Sequence, residues 1–209
     1  MSDHTVTRVS AVPKRVYENQ IEVDGEPFAV LSDRDVRELG LAEGRRLTAR
    51  ELESIKQREG FARARIEALN YVSRRARSRR EVLERLREYR DEIATRVVDD
   101  LTTEGVLDDR KLARDLCEGK LAYRPLGPDR LRADLFKRKI PREVIEDTIV
   151  AAFETSDEVE LATEALHKIA PRYTSKPGPV ARKKISDALR RRGFSWDAIR
   201  TVVDRFIHG

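Results

Sequence analysis

The sequence predicts a mainly α protein, tandem three-helix repeats stacked into an elongated array behind a small β-rich N-terminal cap. Two observations carry this. A unit made of a basic amphipathic helix, a short break and a second apolar-striped helix recurs, anchored on Leu86, Leu135 and Leu189, 49 and 54 residues apart. That period belongs to a repeat array rather than to one globular core. The composition agrees: 39% of the 209 residues are hydrophobic and 39% are charged, against the roughly 25% charged residues of ordinary globular proteins. Cores must therefore be thin and divided.

Residues 1–52 read as the cap. Thr5–Ala11 and Arg15–Val23 are rich in Val, Thr, Ile and Tyr and partly alternate, as strands do. Asp24-Gly25 supplies a tight hairpin turn, and Phe28–Leu31 is the returning strand. Ser32 caps a short helix over Asp33–Leu39, with Gly40 ending it. Gly44 marks a further turn, and Thr48-Ala-Arg-Glu51 has the form of a capping box opening the next helix.

Residues 53–106, 107–154 and 155–209 read as the repeats. In the first, Ile66, Leu69 and Val72 form one apolar stripe. Ser78-Arg-Arg-Glu81 is a second capping box with Val82, Leu83 and Leu86 inward behind it. Ile93, Val97 and Leu101 face the core from the third helix, which stops at Gly105. In the second, Asp108 or Asp109 caps a helix carrying Leu112, Leu116 and Leu121. Arg124-Pro-Leu-Gly-Pro128 breaks the chain, Pro128 suits a first helical turn, and Leu131 and Leu135 face inward. Pro141 starts the next helix, with Val144, Ile145, Ile149 and Phe153 buried. In the third, Val159, Ala162, Leu166 and Ile169 share a face, and Pro171 to Pro179 reads as a hinge. Ile185 and Leu189 are core, Gly193 is a left-handed stop, and Ser195 caps a helix burying Ile199, Val202, Val203 and Phe206.

Chemistry is mostly excluded. Cys117 is the only cysteine, so neither an internal disulfide nor a thiolate cluster is available, and it reads as a buried structural thiol. His4, His167 and His208 share no ligand spacing, so no metal or cofactor is expected. Carboxylates such as Glu81, Asp129, Glu143 and Asp197 stand at helix starts, where the helix dipole explains them. No enzyme activity is expected. No apolar run approaches the ~18 residues of a membrane span, and the opening residues lack the apolar segment of a secretion signal. The chain reads as a cytoplasmic monomer.

The net charge of +5 is unevenly spread. Residues 1–60 hold 10 Lys/Arg against 12 Asp/Glu, and residues 61–209 hold 33 against 26. A cationic repeat region points to polyanions or acidic proteins as partners. The candidate contact residues are Arg74, Arg75, Arg77, Arg79 and Arg80, a run with no carboxylate from residue 68 to residue 80. To these are added Tyr123, Arg124, Lys176, Arg182, Lys183, Lys184, Arg190, Arg191 and Arg192. Guanidiniums bind phosphates or carboxylates bidentately. Tyr71, Tyr123 and Tyr173 close the first helix of each repeat, where they either stack on exposed bases or pack against their own helices. Trp196 is expected to pack on the adjacent repeat.

Three segments resemble the RecX family, the bacterial regulators of the RecA recombinase. They are Leu107-Asp-Asp-x-x-Leu-Ala113, the run from Gly127 through Arg130 to Leu135 followed by Arg138-Lys139-Ile140, and Leu189-Arg-Arg-Arg-Gly-Phe194 followed by Ile199. The likeness covers roughly residues 61–209, and the N-terminal segment resembles an extension found in some members. One departure is that Tyr89-Arg90-Asp91 and Arg138-Lys139-Ile140 lack the glycine that follows the basic helix in the third repeat, which leaves the turn geometry open there. The resemblance implies a protein without enzyme activity that binds the RecA–DNA filament, in or along its groove, and inhibits ATP hydrolysis and strand exchange. A general single- or double-stranded DNA-binding module is the alternative.

Overall fold

The computed structural model describes residues 4–13, 15, 17–154, 156–173 and 178–208. The chain forms two units: Met1–Arg74 with Leu83–Asp100, and Arg75–Val82 with Leu101–Gly209.

The first unit opens with a four-stranded antiparallel sheet of order β3-β2-β1-β4: β1 His4–Ala11, β2 Glu18–Val23, β3 Glu26–Ser32 and β4 Arg46–Leu47. Asp24 and Gly25, both at positive φ, make the two-residue β2–β3 turn, the backbone twist such hairpins favour. Asp24 also accepts from the Thr5 backbone N–H at 2.8 Å, fixing the turn against β1. Alternation along the strands buries Val6, Ile21, Ala29 and Leu31 with Leu47 and Ile55. The strand β4 went unread in the sequence because two residues are too few to show a period. Ser32 caps α1, Asp33–Glu38, through the Asp35 N–H.

Thr48 and Glu51 form the expected capping box, and α2 runs from Ala49 to Val72, so the residue 52/53 division falls inside a helix. Its first half lies on the sheet: Ile55 is core, and Glu59 accepts from the Val30 N–H at 2.9 Å. The expected stripe of Ile66, Leu69 and Val72 is corrected here. Ile66 is 53% exposed and Leu69 is exposed, while the buried face carries Ile55, Ala64 and Ala68. Small residues let neighbouring chain come close, and a reading by large apolar side chains passes over them. The rest of this unit spans the end of α3 (Arg79–Arg85) and most of α4 (Asp91–Thr103). Tyr89 donates to Glu67 at 3.0 Å, and Arg96 lies 4.8 Å from the Phe61 ring centre, both securing this segment to α2.

In the second unit α5 Asp109–Tyr123, α6 Pro128–Lys137 and α7 Arg142–Glu154 enclose one core, including Leu112, Cys117, Leu131, Leu135, Ile145 and Ile149. Asp108, not Asp109, caps α5, accepting from the Lys111 N–H. A second core is enclosed by α8 Glu158–Ile169, α9 Gly178–Arg191 and α10 Trp196–His208, among them Leu166, Ile185, Leu189, Phe194, Ile199 and Val203. Ser195 caps α10 by accepting from the Ala198 N–H, and its own N–H and hydroxyl donate to Glu158 at the start of α8. Phe206, expected inside, is 43% exposed. The hinge region is a 3-10 turn, Ala170–Arg172, followed by residues outside those described.

The two cores meet through glycines. The Gly127 N–H donates to the Arg192 carbonyl at 3.0 Å, and the Asp129 N–H donates to the Gly193 carbonyl at 3.1 Å. A Cβ on Gly127 would stand 2.3 Å from the Gly193 carbonyl carbon, and one on Gly193 would stand 2.1 Å from the Arg130 nitrogen. Only glycine fits on either side.

Candidate partner-binding site

The arginine run is less open than its sequence suggests. Arg74 follows α2 in the first unit, exposed beside a cleft of about 860 Å³ that also presents Arg63, Tyr71 and Tyr89. Arg75 to Arg80 belong to the second unit. There the Ser78 N–H donates to Glu81 at 2.9 Å and Ser78 Oγ accepts from the Glu81 N–H, closing the expected capping box. Glu81 also receives Arg75 at 2.9 Å and Arg138 from the end of α6 at 3.2 Å, with Arg77 3.8 Å away. Burial opposes ionisation of Glu81, but the Arg138 guanidinium, the Ser78 N–H and Arg75 outweigh it and hold its carboxyl below the usual range. Arg77, with 13% of its side chain exposed, is part of this clamp. Arg79 is half-buried, and its N–H donates to Asp109, whose carboxyl burial pushes up. Arg80 is exposed. The clamp therefore gives the Arg75 and Arg77 side chains structural roles alongside any binding role, and the Arg79 backbone N–H holds Asp109.

On α9, the buried Ile185 and Leu189 turn Lys183, Lys184, Arg190 and Arg191 outward. Arg182 pairs with Asp204 of α10. Arg190 reaches Asp129 of α6 at 2.9 Å and covers the ring of Trp196 at 5.6 Å. Trp196 is nonetheless 56% exposed, so it is not packed away on a neighbouring repeat as expected. Arg192 donates to the Ala165 carbonyl of α8 at 3.3 Å. Lys176 lies outside the described residues.

At the end of α5, Tyr123 is 85% exposed and Arg124 is exposed. Tyr173, by contrast, packs against the α8–α10 core, and Tyr71 is half-buried with Arg85 6.0 Å from its ring centre. Of the three tyrosines, Tyr123 alone projects fully into solvent. Arg172 was not singled out from the sequence, since one arginine inside a Pro-rich break carries no pattern. Among the described residues no group of His, Cys, Asp and Glu is placed to hold a metal ion, and no helix is long and apolar enough to cross a membrane.

Two family models match within the second unit: RecX, second three-helix domain, over residues 108–149, and RecX, third three-helix domain, over residues 156–203. The chain belongs to the RecX family. The regulatory protein RecX of Leuconostoc citreum (strain KM20) is 27% identical over 202 residues, which cover 96% of this chain and 75% of the relative. That of Clostridioides difficile (strain 630) is 24% identical, covering 97% of this chain and 96% of the relative. A crystal structure of regulatory protein RecX shares the fold, with a TM-score of 0.77, 22% identity, and 96% and 99% of the two chains covered. So does RecX from Lactobacillus salivarius, with a TM-score of 0.65, 24% identity, and 72% and 98% covered. This RecX chain is mainly helical, three-helix domains following a small antiparallel sheet, as its sequence led one to expect.

Proposed function

We propose that this chain is an inhibitory modulator of the RecA–DNA filament, a cytoplasmic monomer that binds non-covalently in or along the filament groove. Membership of a family whose curated relatives are regulatory proteins carries the reading. The outer face of α9, where the exposed Lys183, Lys184 and Arg191 outnumber the exposed Asp187, supports it, because a net cationic face attracts an acidic or polyanionic surface at long range. The further candidate contact residues are Arg74 in the first unit and Arg80, Tyr123, Arg124, Arg190 and Arg192 in the second. On this reading residues 53–106, 107–154 and 155–209 act as successive contact modules, and the chain lowers ATP turnover by occupying the filament rather than by chemistry of its own.

The test is the single-strand-dependent ATPase of RecA titrated with the full chain. The expected result is a saturable fall in turnover. Unchanged turnover at saturating chain rejects inhibition.

A further inference from the structure

Several arginines of the second unit that reach a neighbouring helix meet a carboxylate there. Arg132 meets Glu146, Arg110 meets Asp147, Arg138 meets Glu81, and Arg190 meets Asp129. At the junction fixed by Gly127 and Gly193, where Arg190 takes Asp129, three further arginines have no such partner among the described residues. Three helical segments end there, each on an arginine: Arg124 after α5, Arg172 closing the 3-10 turn that follows α8, and Arg192 after α9. The Gly127–Arg192 hydrogen bond ties the chain after Arg124 to Arg192, and the Arg192–Ala165 hydrogen bond ties Arg192 to α8. Burial first, and then the guanidiniums of Arg124 and Arg172, hold the pKa of Arg192 below the ordinary arginine value. Among the described residues no carboxylate stands within ion-pair distance of these three.

Cations at helix C-termini are individually favourable, because the helix dipole attracts them. Three held together without a counter-charge repel one another, and an anion relieves that repulsion. Guanidiniums match a phosphate with paired N–H donors. Tyr123, next to Arg124 and 85% exposed, adds an aromatic face in water, and an unpaired base stacks on such a face. A duplex keeps its base faces covered; a single strand offers them.

We propose that Arg124, Arg172 and Arg192, with Tyr123, form a binding site for single-stranded nucleic acid, the arginines taking backbone phosphates and the tyrosine a base. The site deepens the filament reading and rests on it only for its biological setting, because binding to a bare strand requires no recombinase.

The test uses the full chain and a fluorescein-labelled oligothymidylate, with anisotropy followed over a range of salt. Arg124→Glu/Arg172→Glu alters exposed side chains only and leaves the Arg192–Ala165 contact in place. It is expected to weaken binding by about tenfold or more and to flatten the log–log salt slope by about 1.4, the contribution of two single-strand phosphates. Arg34→Glu/Arg87→Glu changes the net charge equally at two arginines more than four-fifths exposed, and is expected to bind nearly as the unaltered chain does. Tyr123→Ala is expected to reduce affinity for the strand but not for a duplex. The site is overturned if the unaltered chain does not bind the strand, or if both double variants weaken equally. Loss of filament binding in Arg124→Glu/Arg172→Glu with strand affinity intact overturns it too, and points to acidic protein. Strand binding through these residues without RecA inhibition removes the filament reading and keeps the site. Inhibition without strand binding does the reverse.

Discussion

Glu81 shows how one carboxylate turns a basic run into structure. It closes the Ser78 capping box of α3, neutralises Arg75, and receives Arg138 from 57 residues further along the chain. Removing one partner of a buried, hydrogen-bonded charge leaves the others uncompensated. Glu81→Ala is therefore expected to destabilise the second unit by roughly 2–3 kcal/mol, read by urea unfolding. Because the folded carboxyl titrates below the unfolded one, its stabilisation is present above the ordinary glutamate range and is lost as pH falls through the folded value. Stability of the unaltered chain should drop below about pH 4, and Glu81→Gln should flatten that drop. Cys117 is a second residue-scale case. It is 2% exposed, and burial pushes its thiol up to about 11. The native chain is expected to resist thiol reagents at neutral pH and to react on unfolding; fast labelling of the folded protein contradicts its burial. That burial was legible from the helical position of Cys117, whereas the Glu81–Arg138 pairing, 57 residues apart, left no trace in either local pattern.

At the scale of elements, the caps were the most legible feature. Ser32, Thr48, Ser78 and Ser195 all act where the residue types place them, because a cap is a short-range device. The turns were less so. After α6 the Arg138, Lys139 and Ile140 N–H groups donate to Leu135, Phe136 and Leu135; after α9 Arg192, Gly193 and Phe194 donate to Leu189, Arg190 and Leu189. The two turns are the same, with Lys139 at φ 57° where Gly193 has φ 85°. The missing glycine thus changes the strain rather than the geometry. At the first repeat neither Arg90 nor its neighbours adopt positive φ, and the turn differs. Glycine is kept at 193 because the Arg130 backbone leaves no room for a Cβ. Lys139→Gly is expected to stabilise the protein by roughly 0.5–1 kcal/mol through relief of left-handed strain. Gly193→Ala is expected to cost about 3 kcal/mol or more from the clash. Equal thermal midpoints for the two variants contradict this assignment. The burial error on α2 belongs to this scale too: Ala64 and Ala68 face inward because close packing selects small residues, a preference that hydrophobic size does not reveal.

For the whole molecule, the fold class was legible because periodicity, caps and charge all point one way, and the family models fall on the two segments whose signatures are densest. The contact surface was legible only in outline. The sequence marks where arginines are plentiful; folding decides which meet carboxylates, as around Glu81 and at Arg182 and Arg190, and which stand exposed without an ion pair to a described residue, as Arg191 does. Binding to the recombinase filament is therefore a property to be seen directly. Electron microscopy of RecA filaments on single-stranded DNA, saturated with the full chain, should reveal added density repeating along the groove. Filaments that stay bare at that saturation would contradict filament binding.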